Sequence, residues 1–460
     1  MIKKIIFLTT VFIFTLSSNI YAEQNSIYDE GVKTLQEYLT INTTNPPGNE
    51  METAKFLKKI LDKEGIENQI FDLGNNRANL FAILKGDGSK KPVILLHHMD
   101  VVPADPKYWS VPPFSGKIVN GYIYGRGAVD IKGKGIIDLM TLINLKRMNV
   151  KLKRDIILLA VSDEEVDSTG TNWMIKNKPD LIKNADFLID EGSGIIIDEK
   201  GNNKYYLVSI GDKSALWLKL TFTAPPGHGS IPMKDSSVNK ALRAANKILE
   251  RQQEFIILPD LKEYIKALLK EKDITKLSGY EKDLETSLKN KTFLEEISKD
   301  IEINACIKNT ISITLMKGSD KINTIPNEAS IGLDCRLLPG TDKDKFLEEL
   351  KKIVNDNTMQ IKIEEYTPPG YSPTDVDFMK ALNICALKRD PDVKVIPHIN
   401  VSSTDSSFYR AFGLKSYGFE SYKLTYEEYS LAHSNDERIS VKNIEFGINL
   451  LTDVLTELNK

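Results

Sequence analysis

The strongest constraint on the fold of this chain is a set of three short apolar runs, each followed by a cluster of polar residues. Residues 93–96, 156–161 and 187–189 consist entirely of Val, Ile, Leu, Phe and Ala. Runs of this kind are typical of strands that are buried on both faces of a mostly parallel sheet. Helical patterns lie between the runs, so the sequence predicts an α/β fold.

The polar residues after these runs would lie at the carboxyl ends of the strands, where open α/β sheets place their ligand sites. They are His97, His98 and Asp100 after the first run, Asp163, Glu164 and Glu165 after the second, and Asp190 and Glu191 after the third. Adjacent carboxylates repel one another, so they lie either in a solvated acidic loop or around a cation. Their place at the strand ends favours the cation.

Histidine is scarce, so a histidine-based site can draw on few residues. The five histidines are His97, His98, His228, His398 and His433. His98 and Asp100 are two apart on an extended segment and point the same way, which would let Asp100 orient a metal-bound His98. Imidazoles and carboxylates without thiolates suit zinc at a water-accessible catalytic site.

Two other features exclude nucleotide and nucleic-acid chemistry. Residues 125–135 are rich in glycine around Asp130, which allows tight backbone turns, but they lack the GxxxxGK[ST] pattern of phosphate-binding loops. The formal net charge is −3. A broad nucleic-acid-binding surface is therefore not expected.

A second pattern begins near residue 213 and predicts a smaller domain. Apolar and polar residues alternate over 216–222, and helix and strand patterns then follow in the order β-α-β-β-α-β. This is the ferredoxin-like order, and a charged helical insertion at about 253–305 interrupts it. The sequence thus predicts a catalytic domain in two parts, 23–212 and 366–460, with a lid domain at 213–365 inserted between them.

The N-terminus has the layout of a secretory signal peptide. Lys3 and Lys4 precede an apolar run, and small residues lead to Ala22, which predicts a signal over 1–22 and export to the periplasm or the medium. An uncleaved signal anchor is the alternative, and no other stretch approaches membrane-spanning length. Three cysteines without CxxC spacing are expected to be scattered buried thiols, with one disulfide plus a free thiol as the alternative.

Taken together, these motifs resemble those of the M20 metallopeptidases, a group of di-zinc amidohydrolases. The matching segments, in family order, are 96–103, 124–132, 163–165, 190–192, 227–230 and His433. Trp109, the segment 113–116 and the helical insertion are most similar to the branch of carboxypeptidase S and the N-acyl-amino-acid hydrolases. One departure is Ile131, which stands where the family often has a second acid.

The resemblance implies a role for each matching residue near the metals. One zinc would be bound by His98, Asp130 and Glu191, with Asp190 as the competing third ligand. The other zinc would be bound by Asp130, Glu165 and His433, so that Asp130 bridges the pair. Asp100 would orient His98, and Glu164 would be the general base.

The resemblance also implies substrate contacts in the smaller domain. His228, Asn323 and Arg336 match positions that contact the substrate, and His228 would stabilise the oxyanion. In many relatives this histidine reaches the site of a dimer partner, so a homodimer is compatible with the chain. His97 and His398 match no ligand position and are expected to be structural.

The function predicted on these grounds is that of an exported zinc-dependent amidohydrolase or carboxypeptidase. Two Zn²⁺ ions per chain, with Co²⁺ as a substitute, would activate water. Arg336 could fork onto a substrate carboxylate, which favours peptides or N-acyl amino acids. The alternatives are a deacylase or desuccinylase of small N-acyl metabolites and a catalytically idle binding protein, for which a ligand or the base would have to be missing.

Overall fold

A computed structural model of the chain describes residues 27–272 and 283–460. The predicted signal peptide, with its cleavage point after Ala22, lies outside the described residues, as does the middle of the predicted helical insertion. Within the two described ranges, no helix combines the length and the hydropathy that a crossing of the lipid bilayer requires.

The chain divides into two compact units. The first runs to Val208 and takes in Asp375–Val395 and Tyr417–Lys460, and the second comprises Ser209–Thr374 and Ile396–Ser416. The predicted inserted domain lies within the second unit. The division differs from the prediction at residues 396–416, which were expected to belong to the catalytic domain.

The helices are α1 (residues 27–39), α2 (Glu50–Lys63), α3 (Lys132–Arg147), α4 (Thr169–Asn177), α5 (Pro179–Ile182), α6 (Ser237–Glu250), α7 (Lys262–Glu271), α8 (Leu284–Ser287), α9 (Lys291–Ile297), α10 (Ile301–Ile307), α11 (Lys343–Val354), α12 (Asp377–Arg389), α13 (Ser406–Phe412), α14 (Tyr426–Tyr429) and α15 (Val441–Leu458). The strands are β1 (Glu67–Gly74), β2 (Arg77–Leu84), β3 (Val93–His98), β4 (Ile118–Val119), β5 (Tyr122–Tyr124), β6 (Ile156–Val161), β7 (Phe187–Asp190), β8 (Ile195–Ile197), β9 (Asn203–Asp212), β10 (Ser214–Thr223), β11 (Gly227–His228), β12 (Thr310–Lys317), β13 (Thr324–Ile325), β14 (Glu328–Leu337), β15 (Gln360–Tyr366), β16 (Gly370–Tyr371), β17 (Val395–Asn400), β18 (Ser416–Gly418), β19 (Lys423–Leu424) and β20 (Arg438–Ser440).

The central sheet of the first unit is mixed, with parallel strands where the three apolar runs lie. Its strand order is β1-β2-β6-β3-β7-β18-β9-β8-β19. The three runs form β6, β3 and β7, and β3 pairs in parallel with both of its neighbours. Every residue of these three strands is buried. The prediction of an α/β fold with a mixed sheet is therefore confirmed. Parallel pairing holds where the three apolar runs meet, whereas β2 pairs antiparallel with both β1 and β6.

Helix α3 fixes the position of Asp130, which lies two residues before its first residue. The helix is buried over almost its whole length and packs against β3, β6 and α15. A Cβ atom on Gly133 would lie 2.2 Å from the carbonyl oxygen of Ala128, so only glycine fits at this point. The loop before the helix can thus fold tightly back onto its first turn.

The second unit is built on an antiparallel sheet in the order β12-β14-β10-β15. Helices α6 and α11 cover one face, and the chain order of these elements is β-α-β-β-α-β. The alternating pattern noted in the sequence is visible in β10, where Leu216, Leu218 and Leu220 enter the core while Trp217 and Lys219 do not. The unit's core is therefore set by the period of two along its strands.

The described part of the helical insertion has buried contacts of its own. Its helices α7 to α10 bury apolar side chains that include Ile265, Ile297 and Ile307. The buried ammonium of Lys213 donates hydrogen bonds to the carbonyl oxygens of Ala305 and Lys308, at 2.9 and 2.8 Å. These bonds attach the end of α10 to the segment that leads into β10.

Residues 396–416 join the second unit through buried polar contacts. Arg410 donates to the carboxylate of Asp212 at 2.7 Å, and both side chains are almost completely buried. The ring of His398 packs 5.1 Å from the ring of Tyr264. Contacts of this kind between distant parts of the chain are not visible in a local sequence pattern.

The three cysteines are free and buried. Burial raises the pKa of the Cys306 and Cys335 thiols to about 12. Buried, protonated thiols are poor nucleophiles and poor metal ligands. The expectation of scattered buried thiols, rather than a disulfide, is confirmed.

The packing of β3 predicts a large cost for truncating its central side chain. Leu95 has no solvent exposure, so Leu95→Ala should lower the free energy of unfolding by about 2–5 kcal/mol in urea denaturation. The control is Leu181→Ala in α5, where the side chain is 36% exposed and the change should stay within about 0.5 kcal/mol. Equal effects of the two substitutions would contradict the buried position of β3.

Candidate metal centre

The candidate site is assembled at the carboxyl ends of three neighbouring parallel strands. His98 is the last residue of β3, residues 163–165 follow β6, and Glu191 follows β7 directly. Because the strands are parallel and adjacent, their ends meet at one edge of the sheet. The predicted convergence of the polar clusters is therefore what the structure shows.

Two loops from distant parts of the chain complete the site. Asp130 lies in the loop before α3, and His433 lies between α14 and β20. Strand β20 pairs antiparallel with β5, which places the chain after His433 beside the chain that leads to Asp130. This pairing explains how two residues so far apart in sequence share one site.

The first group of ligand atoms comes from His98, Asp130 and Glu191. The Nε2 atom of His98 lies 3.0 Å from Oδ1 of Asp130 and 3.8 Å from Oε1 of Glu191. One ligand atom from each residue lies within 4.8 Å of the other two, a spacing that could hold a metal ion.

The second group comes from Asp130, Glu165 and His433. The Nε2 atom of His433 lies 3.0 Å from Oδ2 of Asp130 and 3.1 Å from Oε2 of Glu165. Asp130 thus contributes one carboxylate oxygen to each group. A carboxylate in this position is suited to bridge two cations.

The five residues of the two groups include three carboxylates but only two imidazoles, so negative charge exceeds positive charge. Burial, with repulsion from Glu164 and Asp130, raises the pKa of Glu191 well above its usual value. Hydrogen bonds to Asp130 and Glu165 raise the pKa of His433 to about 10. Protonated imidazoles would therefore offset the negative charge of the crowded carboxylates, and bound cations could do the same.

The donor set fits a metal of the zinc type. It consists of imidazole nitrogens and carboxylate oxygens, which zinc accepts at catalytic sites. The Oε1 atom of Glu165 is buried and has no hydrogen-bond partner among the described residues, which is unusual for a buried carboxylate oxygen. His433 has a half-exposed side chain, so the second group is open to water.

Asp100 contacts both the acidic loop at 163–165 and the ring of His98. Its carboxylate accepts hydrogen bonds from the backbone N–H groups of Glu164 and Glu165, both at 3.1 Å, and from the Asn45 amide at 2.7 Å. The Nδ1 atom of His98 lies 3.0 Å from the backbone carbonyl oxygen of Asp100 and 3.5 Å from its carboxylate. The Nδ1 atom of His98 thus lies closer to the backbone carbonyl oxygen of Asp100 than to the Asp100 carboxylate, which the sequence suggested as its partner.

Glu164 lies beside the metal-ligand groups without belonging to either. Its side chain is half-buried, and its charge contributes to the raised pKa values of His98 and Glu191. The two hydrogen bonds from the 164–165 backbone to Asp100 fix the loop from which the side chain projects. A carboxylate that is near the ligands but not among them is suited to proton transfer.

Glu191, and not Asp190, belongs to the first ligand group. Asp190 is the last residue of β7 and is buried, and its carbonyl oxygen accepts a hydrogen bond from the Phe419 N–H at 2.9 Å. Of the two alternatives that the sequence left open, Glu191 is therefore the residue that lies with His98 and Asp130.

The remaining histidines of the two units lie outside both ligand groups. His97 is buried, with its Nε2 atom 3.4 Å from the hydroxyl of Tyr38, and burial holds its pKa well below the usual value. Burial likewise lowers the pKa of His398 to about 4. These neutral, buried rings are in keeping with structural roles.

The three residues expected to contact substrate all lie in the second unit. His228 is exposed on β11, and Gly229 N–H donates to the carbonyl oxygen of Asn323 at 2.8 Å, so these two residues lie on adjoining segments. Arg336 lies on β14, where its guanidinium forks onto Asp334 with contacts of 2.8 and 3.2 Å. The guanidinium is therefore already engaged by a carboxylate.

Sequence reasoning missed a buried polar network on the side of the acidic loop. Arg77 contacts the carboxylates of Asp163 at 2.8 Å and Glu50 at 3.0 Å, and its other terminal nitrogen donates to the Asn45 side chain at 2.6 Å. The Asn45 amide in turn donates to Asp100 and Asp163. The Asn-Pro-Pro-Gly turn at 45–48 was the signal that could have drawn attention to this segment.

A second missed residue is Glu437, four positions after His433. Its buried carboxylate accepts hydrogen bonds from the backbone N–H groups of Val129 and Asp130. A glutamate close to a candidate ligand histidine was visible in the sequence, but nothing local distinguished it from its neighbours Asp436 and Arg438.

The chain is similar to known proteins over most of its length. The model of peptidase family M20/M25/M40 matches residues 94–457. The chain is 30% identical over 396 residues to the N-fatty-acyl-amino acid synthase/hydrolase PM20D1 of Mus musculus, covering 82% of this chain and 76% of that protein. It is 28% identical over 384 residues to a probable succinyl-diaminopimelate desuccinylase of Staphylococcus aureus, covering 82% and 87%.

The fold is also shared with a solved structure. The M20 family metallo-carboxypeptidase Sso-CP2 of Sulfolobus solfataricus superposes with a TM-score of 0.69 at 22% identity, over 94% of this chain and 99% of that one. The predicted resemblance is thereby confirmed. The chain belongs to the M20 peptidase family, whose members are hydrolases that act on amide bonds.

Proposed function

We propose that the chain is an exported, zinc-dependent amidohydrolase that cleaves peptides or N-acyl amino acids bearing a free carboxylate. The observation that carries this proposal is the position of Asp130, which presents one carboxylate oxygen to each of two groups of metal ligands. Export rests on residues 1–22 alone, which have the composition of a signal peptide.

The residues that would hold the metals are those of the two groups. His98, Asp130 and Glu191 would bind one ion, and Asp130, Glu165 and His433 the other. When bound, a pair of Zn²⁺ or Co²⁺ ions supplies Lewis acidity that polarises an amide carbonyl and makes water more acidic.

Glu164 would serve as the general base. Its carboxylate would accept a proton from the water whose oxygen attacks the carbonyl carbon, and would deliver that proton to the nitrogen as the C–N bond breaks. The hydrogen bond from its backbone N–H to Asp100 supports this role, because a base must be held in place relative to the reacting atoms.

Substrate contacts would come from the second unit. His228 would stabilise the developing oxyanion, Asn323 would contact the substrate, and Arg336 would fork onto a free carboxylate. Because Arg336 is already forked onto Asp334, the substrate carboxylate would have to share or displace that contact. A homodimer, in which His228 serves the partner subunit, is compatible with this proposal and would be seen in the mass of the protein in solution.

The second candidate is a deacylase or desuccinylase of small N-acyl metabolites. The similarity to a probable desuccinylase favours it, and the same ligands and base would serve. An idle binding protein is not supported, since no ligand position and no base position is vacant.

Metal removal should abolish activity. Dialysis against a chelator is expected to yield an inactive protein, and Zn²⁺ or Co²⁺ should restore activity as two equivalents per chain are bound, because two ligand groups are present. His433→Ala should leave one strong site, measured as metal content by mass spectrometry. Full activity of the metal-free protein would refute the metal-dependent mechanism.

Loss of the base should separate metal binding from catalysis. Glu164→Gln is expected to keep two metals per chain but to lower kcat by about 10²–10⁴-fold, because only proton transfer is removed. The control is Glu67→Gln at an exposed position of β1, which should change neither quantity. Near-normal kcat in the Glu164 variant would show that the base lies elsewhere.

A substrate panel should reveal whether a free carboxylate is recognised. N-acyl amino acids are expected to have kcat/KM values about 10- to 100-fold above those of their C-terminal amides, because a charge-assisted hydrogen bond is lost. Arg336→Met should remove most of that discrimination. A clear preference for succinyl over longer acyl and peptidyl groups would favour the desuccinylase instead.

A further inference from the structure

A buried ion pair connects two of the three loops that carry ligands of the second metal group, those of Asp130 and His433. Glu437 has no solvent exposure, and its Oε2 atom accepts a hydrogen bond from Nη1 of Arg126 at 2.7 Å. The Nη2 atom of Arg126 donates to the carbonyl oxygen of His433 at 3.2 Å. The pair therefore contacts the chain at His433 and, through Glu437, the chain at Asp130.

The carboxylate of Glu437 is surrounded by backbone amides of the loop before α3. Its Oε1 atom accepts from Val129 N–H at 2.8 Å and Asp130 N–H at 3.0 Å, and its Oε2 atom accepts from Gly127 N–H at 3.1 Å. Without the carboxylate, these amides would lie buried and unpaired, at a cost for each of them. The glycine-rich loop would then lose the contacts that select one of its many conformations.

We propose that Glu437 is a positioning residue, which holds Asp130 and, through Arg126, His433 in the arrangement that binds two metals. This inference rests on the proposed metal-dependent function. Glu437 is not itself a ligand, because both of its oxygens are used by the loop amides and the guanidinium. Its effect on the metals is exerted through the backbone of Asp130.

The need for such a device follows from the geometry of Asp130. Each of its oxygens faces a different imidazole at 3.0 Å, so a small rotation of the loop would withdraw an oxygen from one group or the other. The opposite side of the loop is held as well, since the hydroxyl of Tyr422 donates to the carbonyl oxygen of Val129 at 2.8 Å. Supporting contacts of this kind commonly change metal affinity by about 10- to 100-fold.

A buried anion could also attract the cations directly, and two neutral variants separate that effect from positioning. Glu437→Gln keeps one oxygen that can accept from Val129 and Asp130, whereas Glu437→Met keeps none. Both remove the same negative charge. Positioning therefore predicts a smaller loss of affinity for Gln than for Met, while direct attraction predicts equal losses.

The experiment measures the affinity of the full chain for Zn²⁺ by competition with a chromophoric chelator. We expect affinity to fall by about 10-fold in Glu437→Gln and by about 100-fold in Glu437→Met. The matched control is Asp186→Asn, which breaks an ion pair with the buried Arg154. Asp186 directly precedes the first residue of β7, whereas Glu191 follows the last residue of that strand. That variant should lose stability without losing metal affinity.

Arg126→Met removes a positive charge instead of a negative one. It therefore distinguishes positioning from direct electrostatic attraction even if Glu437→Met does not fold. Removing a cation near the site would strengthen metal binding if charge alone mattered, but should weaken it if the ion pair positions the ligands. Equal losses in both Glu437 variants, a gain in Arg126→Met, or unchanged affinity would each overturn the proposal. Failure of the unaltered chain to bind two Zn²⁺ ions would instead reject the proposed metal-dependent function.

Discussion

The mutual repulsion of carboxylates at one sheet edge is the constraint around which the first unit is organised. Three carboxylates that offer ligand atoms, those of Asp130, Glu165 and Glu191, converge with only two imidazoles among them. Burial makes the repulsion stronger, because water no longer screens the charges. Burial, together with this crowding, raises the pKa values of Glu165 and Glu191, and hydrogen bonds to Asp130 and Glu165 raise the pKa of His433. Without cations, several buried carboxylates at one sheet edge destabilise the fold. Two bound cations would instead attract the carboxylates.

The loops that carry these ligands are held by a second set of buried carboxylates. Asp100 accepts the backbone amides of Glu164 and Glu165, and Glu437 accepts those of the loop ending in Asp130. Glu420 accepts the amide of Gly192, next to Glu191, at 3.0 Å. Three of the ligand loops, those of Asp130, Glu165 and Glu191, therefore have their own anionic acceptor, even though further negative charge adds to the repulsion. The arrangement is physically reasonable because a carboxylate can accept several amides at once, which no neutral side chain does as well.

The ends of the strands were predictable from the sequence, whereas the supports of the loops were not. Continuous apolar runs identify β3, β6 and β7 by local pattern, and residues that follow adjacent parallel strands lie at the same edge of the sheet. The three polar clusters could therefore be brought together from the sequence, whereas the choice of His98, Glu165 and Glu191 within them came from the family resemblance. Glu437 reaches Asp130 only because β20 pairs with β5, which no local pattern announces. The grouping of residues 396–416 with the second unit likewise involves a long-range contact, that of Arg410 with Asp212.

The residues proposed to bind metals and those proposed to contact the substrate lie in different units of the chain. All five residues of the two candidate metal groups belong to the first unit, whereas His228, Asn323 and Arg336 belong to the second. The candidate ligand loops are held by buried hydrogen bonds, so substitutions there would disturb the proposed metal sites. Under the proposed function, substitutions in the second unit would alter the substrate contacts without changing any of the metal-ligand residues.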